Sequence, residues 1–131
     1  SDVCSSDLID WNQKKQYREL FDYYASLIDL RKSHPAFRMT TAEEIAANIR
    51  FDKVKTPLLI SYSILNHANG DVWKEIKLVF NGSDKPQQVK IKKGQWTIVA
   101  QDGKVNKNGL GTTAGGNIEV APRSALILAI E

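Results

Sequence analysis

The segment YYASLIDLRKSHPAFRM, residues 23–39, predicts the end of a long helix followed by a proline stop. Apolar residues recur here and just upstream every three or four positions, which is the spacing of one buried helical face: Tyr17, Leu20, Phe21, Tyr24, Leu27 and Ile28. The pair His34-Pro35 then disfavours further helix, so we predict a helix from Tyr17 to His34. No second helix of similar length follows that would cover this face. We therefore expect the chain to be the tail of a larger protein.

Downstream of this helix the apolar pattern changes from helical to alternating. The sequence TAEE at residues 41–44 is a capping box and predicts a short helix over 42–48, with Thr40 or Thr41 at its N-cap. Turn residues then interrupt the chain at short intervals, and the glycine-rich segment 104–116 is predicted to be the longest loop. The predicted strands are 49–54, 59–66, 76–81, 88–91, 96–100, 117–120 and 125–130. The predicted fold class is therefore α+β: one long helix, a short helix and an all-β antiparallel two-sheet sandwich.

Composition restricts the classes of protein to which the chain can belong. The 131 residues are 42% hydrophobic, enough for one modest core, and the longest apolar runs are far shorter than the roughly 20 residues that span a bilayer. The net charge of +3 is spread through alternating sequence, without a basic run interleaved with aromatic residues. We expect neither a membrane span nor nucleic-acid binding. The single cysteine, Cys4, allows no internal disulfide and no cysteine metal site.

The first residues, SDVCSSDL, do not fit the pattern of the sequence that follows. They resemble the translated read-through of a sequencing-library adapter, so residues 1–8 are left out of the fold prediction. A natural polar linker is the alternative. On either interpretation Cys4 is not expected to form a site.

Three segments of the chain together resemble a known enzyme family. LIDLRKSHPAFR, residues 27–38, resembles the last barrel helix of the α-amylase-clan glycoside hydrolases. RMTTAEEI at 38–45 and HANGDVWK at 67–74 resemble the bacterial type I pullulanases, which cleave α-1,6 links in pullulan and branched starch. This resemblance covers residues 9–131. It implies that residues 9–44 are the end of a catalytic (β/α)8 barrel and its connector, and that 45–131 form a C-terminal β-sandwich domain.

The resemblance also implies which functional residues to expect. In that family the catalytic carboxylates lie on earlier barrel strands, so we expect no catalytic residue here and an isolated chain that is inactive. The chemistry uses protein carboxylates alone, so no cofactor and no metal site are expected. Asp10 and Trp11 resemble the end of the final barrel loop and are the two candidate substrate-binding residues. The expected partners are the upstream barrel of the same parent chain and, through the parent, an α-glucan.

Two alternatives come from other classes of protein. The first is a stand-alone carbohydrate-binding sandwich in which Trp73 or Trp96 stacks on glucan, although the alternating strand around Trp96 favours a core position. The second is a β-rich adaptor that binds protein through the apolar face of the Tyr17–Ile28 helix.

The remaining candidate side chains have simple structural interpretations. Glu43 and Glu44 are adjacent on a helix and cannot flank one bond, so they are interpreted as solvated first-turn residues. Asp22 and Asp29 are predicted to be solvent-facing or paired with Arg18 and Arg31. The two histidines are interpreted as a helix-terminus residue, His34, and a turn residue, His67.

Overall fold

A computed structural model of the chain describes residues 8–131. Cys4 and the predicted adapter segment, apart from Leu8, lie outside these residues. Helix α1 (Gln13–Gln16), which was not predicted, precedes α2 (Arg18–Ser33), which confirms the predicted long helix. His34 leaves the helical region at φ −122°, and Pro35 begins a single 3-10 turn, Pro35–Arg38. No helix among residues 8–131 combines the length and apolar character needed to cross a membrane.

The short helix α3 (Ala42–Asn48) has the predicted bounds. The Thr41 hydroxyl accepts a hydrogen bond from the backbone N–H of Glu44 at 3.2 Å, which confirms Thr41 as the N-cap. The Glu44 carboxylate accepts in return from the N–H of Thr40 at 3.4 Å. The reciprocal bond therefore goes one residue further back than in a regular capping box.

Strands occupy most of the remaining sequence. The described part of the chain contains nine: β1 (Ile49–Phe51), β2 (Leu59–Ile64), β3 (Glu75–Asn81), β4 (Gln87–Ile91), β5 (Trp96–Gln101), β6 (Lys104–Val105), β7 (Gly111–Thr113), β8 (Gly116–Val120) and β9 (Ser124–Ile130). Seven of them correspond to predicted strands. The prediction of a loop over 104–116 was wrong, because β6 and β7 lie within it and both pair with β5.

The strands form two antiparallel sheets. Seven strands make a large sheet in the order β1-β2-β3-β9-β5-β6, with β7 also paired to β5, and β4 and β8 make a separate two-stranded sheet. Along β3 successive residues point to opposite faces, so Leu78 joins a core on the helical side while Val79 joins the core between the sheets. The predicted two-sheet sandwich is confirmed, with the helices forming a third layer.

Each face of the large sheet carries its own hydrophobic core. The core on the helical side contains Leu30, Ala36, Ile64, Ala68, Trp73, Ile76, Leu78, Val99, Ala100, Ile127 and Ala129. The core between the sheets contains Leu59, Val79, Val89, Ile91, Trp96, Val120, Leu126 and Leu128. The large sheet therefore packs with one face on the last turn of α2 and the 3-10 turn, and with the other face on β4 and β8.

Gly115 lies where the chain turns from β7 into β8, and no larger residue fits there. Its φ is +91°, and a Cβ at this position would overlap the carbonyl oxygen of Lys92. We expect Gly115→Ala to lower the free energy of unfolding by about 2–4 kcal/mol, because both the backbone conformation and the contact are unfavourable. Urea denaturation measures this loss.

Gly103→Ala is the matched control for this prediction. Gly103 also has a positive φ, +77°, but a Cβ there meets nothing within 4 Å. Gly103→Ala should therefore lower the free energy of unfolding only through the unfavourable backbone conformation, by about 1 kcal/mol. Equal losses in the two variants would show that the contact with Lys92 is not the cause.

Candidate functional site

Two of the segments that carry the family resemblance meet in space. The first is the end of α2 with the turn that follows it, and the second is the connection from β2 to β3, residues 65–74. They meet through His34, Ala36, Asn69, Asp71 and Trp73, which we call the clip. The clip joins the long helix to the seven-stranded sheet across more than 30 residues of sequence.

Asp71 is the centre of the clip. Its Oδ1 atom lies 2.9 Å from His34 Nδ1 and accepts a hydrogen bond from the N–H of Trp73 at 2.9 Å. Its Oδ2 atom accepts from the N–H of Ala36 at 3.1 Å. A carboxylate can only accept, so the hydrogen lies on Nδ1 of His34. The Asp71 side chain is 0% exposed, which means that the protein rather than water satisfies it.

Stacking and amide contacts complete the clip. The rings of His34 and Trp73 are stacked, with centroids 3.4 Å apart and planes 13° from parallel. The side-chain amide of Asn69 donates to the carbonyl oxygen of Pro35 at 2.8 Å and to that of Arg38 at 3.3 Å. Asn69 has φ +53°, a left-handed conformation that asparagine tolerates better than most residues. The turn that carries Asn69 therefore binds the free carbonyl groups after α2.

Sequence reasoning found only part of the clip. It placed His34 at the helix terminus and His67 in a turn, and both positions are confirmed, with His67 Nδ1 3.0 Å from the carbonyl oxygen of Asp71. It did not identify Asp71 as the partner of His34. The available signal was that Asp71 lies inside HANGDVWK, one of the segments that carry the resemblance. Protein donors enclose the Asp71 carboxylate, so it cannot reach a substrate. Its role is to hold the end of α2 to the seven-stranded sheet.

The two predicted substrate-binding residues lie at the other end of the helical layer. Asp10 and Trp11 precede α1, and Trp11 is 75% exposed. Asp10 accepts a hydrogen bond from the N–H of Asn12 at 3.0 Å through its Oδ1 atom. Neither residue contacts the clip. Their position near a substrate stays a prediction.

The candidate carboxylates on the helices have structural partners. Asp22 pairs with Arg18 at 3.1 Å, as predicted. The Asp29 side chain is 54% exposed, which agrees with the solvent-facing alternative, but its ion-pair partner is Lys107 at 3.0 Å and not Arg31. The physical reason is tertiary: the turn after β6 brings Lys107 over the side of α2. Among residues 8–131 no three His, Cys, Asp or Glu side chains are grouped so that they would hold a metal ion.

The two tryptophans of the β-domain are both buried. Trp96 is 1% exposed, which confirms the predicted core position, and its indole N–H donates to the carbonyl oxygen of Lys92 at 2.9 Å. Trp73 is 6% exposed beneath His34. Neither ring presents a face on which a sugar could stack. The hypothesis of a glucan platform on Trp73 or Trp96 was therefore wrong, because both indole rings are buried in the hydrophobic cores.

Within residues 8–131, most of the apolar face predicted on the long helix is left uncovered. Leu30 is the buried residue of this helix, and Tyr23 and Leu27 are partly buried beside it. Five residues of the predicted face remain between 42% and 58% exposed: Tyr17, Leu20, Phe21, Tyr24 and Ile28. We call these five the stripe. An uncovered apolar surface of this kind usually marks an interaction site.

A charged group near the sheet edge gives the fold a pH dependence. Partial burial by itself raises the pKa of Asp52, but hydrogen bonds from Lys77 and Ser61 and the charge of Lys77 outweigh it, so the pKa lies below its usual value. The Ser61 hydroxyl donates to Asp52 at 2.6 Å, and Lys77 forms an ion pair with the same oxygen.

We expect this ion pair to stabilise the fold at neutral pH but not in acid. A carboxyl group whose pKa is lower in the folded than in the unfolded state stabilises the fold at pH values above its unfolded pKa, which is about 4. This contribution is lost as the pH falls through the folded-state pKa. Asp52→Asn should therefore reduce stability modestly at pH 7, and the difference from the parent should shrink as the pH falls below about 4. Urea midpoints at several pH values measure it, with Asp84→Asn as an exposed control. A difference independent of pH would contradict the assignment.

Comparison with known proteins places these features in a family. Residues 45–104 match the family model of the pullulanase all-beta domain. A pullulanase of Bacillus subtilis strain 168 is 33% identical over 79 residues, which are 60% of this chain and 11% of that protein.

Solved structures are similar over almost the whole chain. The pullulanase from Bacillus acidopullulyticus superposes with a TM-score of 0.86 and 39% identity, covering 92% of this chain and 15% of the other. The type I pullulanase from B. subtilis strain 168, in complex with maltose, has a TM-score of 0.82 and shares the fold at 23% identity, over 92% of this chain and 17% of the other. The chain thus spans less than a fifth of these relatives. Residues 45–104 are therefore similar to the pullulanase all-beta domain, and the chain shares its fold with the matching part of the solved bacterial pullulanases.

Proposed function

We propose that the chain is the C-terminal part of a pullulanase-like glycoside hydrolase that cleaves α-1,6-glucosidic bonds in pullulan and branched starch. Residues 9–44 would be the end of the catalytic barrel and its connector, and residues 45–131 the closing β-sandwich. The clip is the observation that carries this proposal. It binds the end of α2, the helix that resembles a last barrel helix, to the all-β domain through Asp71.

The role of this part in the enzyme is structural. A retaining glycosidase needs two carboxyl groups about 5–5.5 Å apart on either side of the scissile bond. Asp71 is enclosed by protein donors, and Asp22 and Asp29 form ion pairs on the surface of α2. We therefore place the catalytic carboxylates upstream of this chain. The clip would keep the last barrel helix in position, and with it the loops that carry those carboxylates.

The stripe is the surface on which the barrel would pack. Its side chains lie beside Tyr23 and Leu27, which are partly buried on the side of α2 that faces the sheet, so α2 would be covered from two sides in the whole enzyme. Burial of these aromatic and aliphatic side chains would supply hydrophobic stabilisation to the joint between the domains.

Asp10 and Trp11 would lie nearest the substrate. They precede α1 and are exposed, as residues at the end of a barrel loop would be. In the whole enzyme we propose that Trp11 contributes apolar contact to the α-glucan and that Asp10 shapes the loop through its bond to Asn12.

The experiment that tests the proposal is to recover the coding sequence upstream of Ile9 and to assay the full-length protein. We expect the frame to continue into a barrel with an aspartate nucleophile and a glutamate acid, and the protein to release reducing ends from pullulan. The 131-residue chain should release none. A start codon just before Ile9, or a full-length protein inactive on α-1,6 links, would overturn the proposal.

The stripe gives a prediction for the isolated chain. Because it exposes five large apolar side chains on one helix, the chain should self-associate at micromolar concentration. Leu20→Lys with Ile28→Lys should return it to a monomer, as measured by size-exclusion chromatography with light scattering. Ala46→Lys with Ala47→Lys adds the same charge on α3 and should leave association unchanged. A parent chain that is monomeric would contradict the prediction.

A further inference from the structure

An apolar cleft separates α2 from the seven-stranded sheet. Its volume is about 300 Å³. The helix supplies one wall through Tyr23, Leu27 and Arg31, and the sheet supplies the other through Leu78, Phe80 and Ala125. Hydrophobic side chains dominate both walls, and well-packed interiors rarely leave a void of this size unfilled.

The cleft is continuous with the stripe. Residues three, four and seven apart lie on one side of a helix. Leu27 is three residues after Tyr24 and seven after Leu20, and Arg31 is three residues after Ile28. The helical wall of the cleft therefore runs directly into the stripe, and a body that covers the stripe also reaches the mouth of the cleft.

The cleft is also continuous with a row of aromatic rings on the sheet. Phe80 lines the cleft and lies 6.2 Å from the ring of Tyr62, which in turn lies 5.2 Å from the ring of Phe51. These rings come from the neighbouring strands β3, β2 and β1. Phe51 is 71% exposed and Phe80 38%. Stripe, cleft and ring row thus form one apolar band on the helical side of the sheet.

We propose that the upstream barrel of the same protein inserts an apolar side chain into this cleft, while its surface covers the stripe and the ring row. This inference rests on the proposed function. Two observations favour the barrel as occupant. The 92% of this chain that matches the B. acidopullulyticus pullulanase corresponds to 15% of that chain, so most of such an enzyme is available as the neighbour. The cleft also opens beside the stripe, the uncovered apolar surface on which the proposed function packs the barrel.

Thiol protection in the full-length protein tests the insertion. Ala125→Cys places a thiol in the cleft, and Ala46→Cys places a control thiol on the exposed face of α3; labelling of the unsubstituted protein is subtracted. In the 131-residue chain we expect the two thiols to label at rates within about 10-fold of each other. In the full-length protein, the thiol at position 125 should become at least about 100-fold slower than the control.

The possible outcomes separate the two proposals. Labelling at position 125 as fast as at position 46 in an active full-length pullulanase would overturn the insertion and leave the proposed function standing. Absence of a barrel upstream would overturn both. Labelling of the 131-residue chain is measured at a concentration at which it is monomeric; protection of position 125 in that monomer would show that the chain fills the cleft by itself and would also overturn the proposal. As a second readout, Ala125→Phe fills the cleft and should lower the melting temperature of the full-length protein but not that of the chain.

Discussion

Replacing Asp71 by alanine is expected to destabilise the chain by about 3–5 kcal/mol. The substitution leaves three donors without an acceptor: His34 Nδ1 and the backbone N–H groups of Ala36 and Trp73. Water cannot replace the carboxylate easily, because the site is enclosed beneath the stacked rings of His34 and Trp73. Urea denaturation at a concentration below self-association measures the loss.

Two further variants show whether the hydrogen bonds are the cause. Asp71→Asn keeps an oxygen for His34 and Trp73 but places an amide NH2 against the N–H of Ala36, so it should lose less than the alanine variant. Asp84→Ala removes an exposed carboxylate and should change stability by less than about 0.5 kcal/mol. Hydrogen exchange should increase first in residues 34–38 of the alanine variant, since the clip holds that turn. A loss below about 1 kcal/mol would show that the clip does not join helix and sheet as described.

Replacing Trp96 by alanine is expected to cost a similar amount, about 3–5 kcal/mol, through a different mechanism. Trp96 is the largest of the fully buried side chains and lies between the two sheets with Leu126 and Leu128. Its removal opens a cavity and also frees the carbonyl oxygen of Lys92 from the indole N–H. A Cβ at Gly94 would lie 3.3 Å from the indole nitrogen of Trp96, so Gly94 lies close beside the ring and the turn before β5 should loosen as well.

The chain provides its own control for this substitution. Trp11 is 75% exposed, and Trp11→Ala should therefore change stability by less than about 0.5 kcal/mol. Trp96→Phe retains most of the apolar volume and should fall between the two. Urea denaturation curves of the three variants compare their free energies of unfolding. A Trp96→Ala variant as stable as Trp11→Ala would contradict the core position of Trp96.

Local sequence signals correctly predicted those elements of the fold whose formation depends on neighbouring residues. The Pro35 stop, the Thr41 cap and the alternation at the start of β3 each act within a few residues, and the structure contains all of them. Seven of the strands in the described part were predicted for the same reason. The strand predicted over 49–54 is shorter, because pairing with β2 ends at Phe51.

The errors concern features that depend on a distant partner. β6 and β7 lie in a segment, residues 104–116, that has the glycine and asparagine content of a loop, and they become strands because β5 lies alongside them. Asp29 and Arg31 are two residues apart and point to different sides of α2, whereas the turn after β6 brings Lys107 to Asp29. Asp71 carries no local mark of burial, and the fold alone places it against the end of α2.

By itself, the amino-acid sequence determined the long helix, the capped short helix, the antiparallel strands and the resemblance to pullulanases, because periodicity, caps and turns are short-range effects. Only the tertiary structure decided which face of α2 packs on the sheet, where the apolar band runs and how Asp71 joins helix to β-domain. The physical reason is that burial and hydrogen bonding at those positions depend on residues more than 30 positions away, which no local pattern encodes.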